Sequence, residues 1–121
     1  MKAELKQRWV RALRSRKYKQ GRGALRKKTP DGFTYCCMGV LADLIAPDSW
    51  ENPEPNGKCH SNWANDMEEF DLDRLREIGL DPMEQCDLIA MNDGEESKPV
   101  GFRRIADWIE KNVLDEEAPV G

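Results

Sequence analysis

A chain of 121 residues with 39% apolar and 35% charged side chains suits one domain with a modest core, and four Trp with regular apolar spacing exclude full disorder. No apolar run approaches the roughly 20 residues that span a bilayer, and the N-terminal MKAELKQRWVRALRSRK lacks the apolar stretch of a secretory signal, so the expected compartment is the cytoplasm. The net charge of −4 conceals a split: residues 1–30 hold 12 Lys/Arg and one acid, net +11, while residues 31–121 hold 7 Lys/Arg and 22 acids, net −15. Such a split fits a basic face for an anion or two halves that neutralise one another, and an acidic whole argues against general, tight coating of DNA.

In chain order, Leu5, Trp9, Val10 and Leu13 form one apolar stripe and predict a helix over Ala3–Lys17, with Gly21 and Gly23 ending regular helix. Pro30-Asp31-Gly32 is a turn signal between ALRKKT and FTYCC, which predicts a short two-stranded hairpin. The apolar run Met38–Ala46 predicts a buried helix stopped by Pro47. Residues 47–65 read as a long Pro-rich loop pinned by Trp50 and Trp63. A short helix follows over Leu72–Ile78 with Gly79 past its end. Asp81-Pro82-Met83-Glu84 starts another helix with an N-cap acid, Pro at the first position and Glu at the third; it stops near Asn92-Asp93-Gly94. A last helix, capped near Ser97, places Phe102, Ile105, Ala106, Ile109 and Val113 on one face. The expected fold is α+β: a compact single domain over 1–121, mainly helices with a short antiparallel β-hairpin. Residues 1–37 would form a basic helix and hairpin, 38–114 an acidic helical remainder and 115–121 a loose tail.

Three constellations carry potential chemistry. Lys17, Lys19, Arg22, Arg26, Lys27 and Lys28 surround Gln20, Gly21 and Gly23. Glycine lets backbone N–H groups approach a phosphate, and Arg grips its oxygens bidentately. The segment is neither a Walker loop nor a dinucleotide fingerprint; a solvated basic hairpin is the plain alternative. Cys36, Cys37, Cys59, His60 and Cys86 lack the paired spacing of a zinc site and of a Cys–His nucleophile, so free, buried thiols, no metal and no other cofactor are expected. The acids Asp66, Glu68, Glu69, Asp71, Asp73, Asp87, Asp93, Glu95 and Glu96, with Asn92 among them, offer paired carboxylates, but read most simply as a solvated face.

The stretches WVRALRSRKYKQGRGALR, YCCMGVLADL and LIAMNDGEESKPVGFRRIADWIE together resemble a group of small proteins encoded by tailed phages and prophages. That group shows W-x-x-A-L-R-S-x-x-Y-x-Q-G-x-x-x-L-R, then C-C-x-G-V-L, then L-N-D-x-G-x-S-F-x-x-I-A. This chain departs from it at Ala42, where Cys is frequent, at MND for LND, and in the longer link GEESKPVGF. The resemblance implies a phage protein acting in the host cytoplasm, in host takeover or counter-defence, by binding.

The reading that combines these signals is a non-enzymatic binding protein that engages an anionic, phosphate-bearing ligand such as a nucleotide. Its site would comprise Tyr18, Lys19, Gln20, Gly21, Arg22, Arg26, Cys37, Asn92 and Asp93. Gln20, Gly21, Arg22 and Arg26 would share one pocket, floored by Cys37 and its helix and approached by Asn92 or Asp93. No residue is assigned a catalytic role. The alternative is a protein–protein inhibitor of anti-CRISPR type, whose acidic half mimics nucleic acid on a host immune effector; a weaker alternative is a small hydrolase using Asp87 and Asp93 with a metal. The expected partner is thus an anionic small molecule or a host defence protein complex, with self-association left open and no membrane.

Overall fold

The computed structural model describes residues 1–95 and 97–116; Glu96 and residues 117–121 of the expected loose tail lie outside the described residues. The element order is α1 (Ala3–Arg14), β1 (Arg26–Thr29), β2 (Gly32–Tyr35), α2 (Cys37–Ile45), α3 (Leu72–Ile78), α4 (Pro82–Asp93) and α5 (Phe102–Asn112), an α+β fold. The strands pair antiparallel with Arg26 opposite Tyr35 and Thr29 opposite Gly32. No helix among the described residues is long and apolar enough to cross a membrane.

α2 is the centre of the core. Cys37, Met38, Gly39, Val40, Leu41 and Ala42 are all buried, as expected of a helix that is apolar on every side. α1 lays Trp9, Val10 and Leu13 against it, and α5 lays Phe102, Ile105, Ala106 and Ile109 against α1. The Trp9 indole donates to the Cys37 carbonyl at 2.9 Å, which satisfies the buried indole N–H and ties α1 to the start of α2.

The ends of the elements have local causes. α1 stops three residues before the predicted Lys17, because Ser15 Oγ turns back on the Ala12 carbonyl at 2.7 Å and Arg16 enters the left-handed region at φ 63°. α2 begins one residue before the predicted Met38: the Sγ of Cys36 accepts from Gly39 N at 3.4 Å and serves as its cap. α3 and α4 follow prediction. Asp71 caps α3, the Asp81–Glu84 capping box starts α4, and Gly79 and Gly94 close them in the left-handed region. α5 is not capped near Ser97. It begins after Gly101, and the N–H of Phe102 donates to Gln20 Oε1 at 3.1 Å. The cap comes from a residue 82 positions away.

The Pro-rich stretch 47–65 is held by backbone bridges and by the Ser49–Ser61 hydroxyl pair at 2.9 Å. Trp50 donates to Asp43 at 2.9 Å, and Trp63 meets Phe70 edge-on at 4.9 Å. This stretch also covers the free edge of β1, since Lys28 N donates to Gly57 O and Cys59 N to Arg26 O. At the tail, Glu116 N donates to the Met1 carbonyl at 2.7 Å and Asp115 pairs with Lys6 at 3.1 Å.

Candidate functional site

The segment between α1 and β1 runs beside the end of β2: Tyr35 N donates to Lys19 O, and Gly21 N to Tyr35 O at 2.8 Å. Gly21 is required there, because a Cβ would lie 2.3 Å from Thr34 Oγ1. Around this line the structure gathers Gln20, Gly21, Cys37, Asn92 and Asp93, five of the residues expected at a site. Asn92 is fully buried at their centre. Its Oδ1 accepts from Gln20 Nε2 at 3.0 Å and from Cys37 N at 3.2 Å. Its Nδ2 donates to Gly21 O at 2.8 Å and to Asp93 Oδ1 at 3.0 Å. Asp93 Oδ1 also accepts from Gly23 N at 3.2 Å. Gln20 completes the set by donating to Val100 O at 2.8 Å and accepting from Phe102 N. The amides thus act as a brace tying the basic segment to α2, α4 and α5. The side-chain amide of Gln20, expected in the ligand pocket, is thus taken up by the chain itself.

Tyr18 is an anchor as well. Its phenol donates to Asp43 Oδ2 at 2.6 Å, and its ring meets Tyr35 edge-on at 4.9 Å. Burial, and next the bond to Asp43, push its pKa up, so it stays protonated.

Arg26 is parted from Arg22. Strand alternation puts Arg26 and Lys28 on one face of the hairpin and Lys27 on the other. The Arg26 guanidinium carbon lies 3.5 Å from the Phe33 ring centroid and 5.3 Å from that of Trp50, and Lys28 Nζ is 4.9 Å from Phe33. On the opposite face, Arg22 and Lys27 border an open hollow of about 550 Å³ with Gln20, Gly21, Thr29 and Thr34. Lys27, Thr29 and Thr34 were not among the expected site residues. The alternation of β1 is the signal that could have exchanged Lys27 for Arg26.

The cations around this hollow are unpaired. Among the described residues, none of Lys17, Lys19, Arg22, Arg26, Lys27 and Lys28 forms an ion pair. The pairing between the basic and acidic halves occurs elsewhere. Arg14 meets Asp107 at 2.7 Å and also Glu110, and Lys6 meets Asp115; within the acidic half Lys58 meets Glu68 at 2.6 Å. Another hollow of about 600 Å³ between α1 and α5 contains those paired cations Lys6 and Arg14 with their partners Glu110 and Asp115, which leaves Arg11 as its one cation without an ion pair among the described residues. Several acids are occupied in turns and caps: Asp66 Oδ1 accepts from Met67 N and Glu68 N. Asp71 is held below the usual carboxylate range by Asn65 and by the N–H of Arg74.

The thiols are free, with Cys36, Cys37 and Cys59 buried and Cys86 exposed. Burial pushes Cys36 up to about 12 and Cys37 well above its ordinary value, which makes both poor nucleophiles at neutral pH. Cys59 is raised too, by burial against the opposing pull of Arg26. Among the described residues no three His, Cys, Asp or Glu side chains gather to hold a metal ion. A thiol count follows: at pH 8 an aromatic disulfide reagent should titrate one thiol of the native chain, Cys86, and all four after denaturation. Because the folded state keeps Cys36 protonated, its stabilising contribution is complete below the ordinary value of 9.0 and is lost as pH rises from there toward about 12. Rapid reaction of three or four native thiols would show that the core around α2 is open.

The chain belongs to the family described as a domain of unknown function (DUF8296), matched over residues 1–113. No curated protein and no solved structure matches it.

Proposed function

We propose that this member of the DUF8296 family is a non-enzymatic binding protein that takes a phosphate-bearing ligand, a nucleotide in the first instance, in the hollow bordered by Arg22 and Lys27. In this reading the two cations grip phosphate oxygens and the Thr34 hydroxyl adds a hydrogen bond, while the Thr29 hydroxyl is spent on the Gly32 carbonyl and Gly21 makes room for Thr34. The observation that carries the reading is the segregation of charge. The acids of the C-terminal half pair with α1 and with Lys58, and Asp93 is spent on Gly23 N and Asn92, leaving the cations of the basic segment without an ion-pair partner among the described residues. The resemblance to phage proteins supports host takeover or counter-defence as the setting.

Calorimetry with mono-, di- and cyclic nucleotides tests this. Binding is expected, and Arg22→Ala and Lys27→Ala should each weaken it about tenfold or more, as loss of a charge-assisted bond of roughly 1.5–3 kcal/mol implies. Arg26→Ala should act mainly on stability through its stacking on Phe33. No binding by any nucleotide would remove the reading.

One observation favours the rival reading, in which acidic surface occupies a cationic groove on a host effector. Glu68, Glu69, Asp93 and Glu95 border a hollow of about 260 Å³ beside Gly23 and Cys36. In an effector-inhibition assay that reading requires Glu68→Lys, Glu69→Lys and Asp73→Lys to abolish activity while Arg22→Ala does little.

A further inference from the structure

Gln20 is a wall between two hollows. One is the Arg22–Lys27 hollow; the other, of about 560 Å³, is bordered by Arg14, Arg16, Tyr18, Lys19 and Arg103 as well as Gln20. Arg14 is engaged with Asp107 and Glu110, but Arg16, Lys19 and Arg103 are exposed and make no ion pair among the described residues. The first N–H of α5 is already taken by Gln20, so the attraction of this second hollow rests on side-chain cations and not on the helix end. It also holds an aromatic ring in a fixed attitude. Tyr18 is half-buried, its phenol tied to Asp43 and its ring set edge-on to Tyr35.

We infer that the second hollow is a further subsite for the same ligand, and that the ligand is a short single-stranded oligonucleotide and not a mononucleotide. The inference rests on the reading of the Arg22–Lys27 hollow as a phosphate site. Two cationic hollows with one shared wall call for a ligand with at least two phosphates in series. A rigid aromatic ring among Arg and Lys side chains is the arrangement on which an unpaired base stacks while its phosphates are neutralised on either side. The acidic remainder of the chain repels a long polyanion, which limits the fit to a short strand.

Anisotropy titrations of labelled thymidine and uridine mono-, di- and tetranucleotides at fixed low salt test this, the two series separating DNA from RNA. The tetranucleotide of at least one series is expected to bind at least tenfold more tightly than its mononucleotide. Arg103→Ala with Arg16→Gly should remove that gain. Glycine is chosen at position 16 because it accepts the left-handed backbone there, so the variant keeps its fold. Arg76→Ala, which removes the same type of charge from α3, should retain the gain. Mononucleotide binding with no gain on lengthening, or a gain that survives the double substitution, overturns the subsite and leaves the first hollow standing. Absence of binding at every length overturns both.

Discussion

Gly39→Ala is expected to destabilise the protein by more than about 3 kcal/mol and to lower its melting temperature by roughly 10 °C or more. In most helices that exchange is favourable by about 0.5–1 kcal/mol, since alanine has less backbone freedom to lose. Here the close approach wins. A Cβ on Gly39 would lie 1.7 Å from the Leu25 carbonyl oxygen and 2.5 Å from its carbon, both backbone atoms that cannot swing aside. The same Leu25 carbonyl accepts from Cys36 N at 3.2 Å, so moving it also breaks the joint between the segment before β1 and the start of α2. Gly101→Ala, where a Cβ meets nothing within 4 Å, is the control and should change stability by less than about 1 kcal/mol. Thermal unfolding followed by circular dichroism measures both; similar melting temperatures for the two variants would mean that α2 does not lie on Leu25 as described.

Asn92→Leu should cost about 3 kcal/mol or more, although leucine has nearly the same size. It leaves the buried Cys37 N–H and the Gly21 carbonyl without partners, each at about 1–3 kcal/mol, and releases Gln20 from one of its three bonds. Asn92→Asp carries a sharper signature. Ionised, it sets carboxylate oxygens against Gly21 O and Asp93; protonated, its one O–H restores one of the amide's two donated bonds. Burial raises the pKa of such an acid, so the restored bond is present at low pH and is lost as pH rises through the raised value. Urea denaturation should therefore find the deficit of Asn92→Asp relative to the unaltered protein smaller at pH 4.5 than at pH 7. A deficit that is equal at the two pH values would contradict the bonding described for this residue.

The elements whose signals are local were legible in the sequence. α3 and α4 declare themselves through Asp71, the Asp81–Glu84 box, Gly79 and Gly94, all within one turn of the ends they define. The hairpin does so through Pro30-Asp31-Gly32. The start of α5 was misplaced because its cap is Gln20, and no local pattern near Ser97 records a partner so distant. Of the candidate site, the meeting of Gln20, Gly21, Cys37, Asn92 and Asp93 was legible as a juxtaposition. Their bonding to one another was not, because composition cannot tell whether an amide faces a ligand or the chain's own backbone. Arg22 and Lys27 sharing a hollow follows from strand alternation once Arg26 is known to begin β1.

The Gln20–Asn92 brace has a consequence for the order of events during synthesis. Its partners are 72 positions apart, and the contacts of α1 with α5 reach further still. Although mainly helical, the fold therefore closes on distant contacts, which slows folding relative to helical proteins built from neighbours. A nascent chain emerging from the ribosome displays its cationic N-terminal third long before Asn92 and α5 exist to settle it. Through that interval the basic segment lacks the Gln20–Asn92 brace that holds it in the folded chain, and Arg14 faces solvent without the partners that α5 supplies.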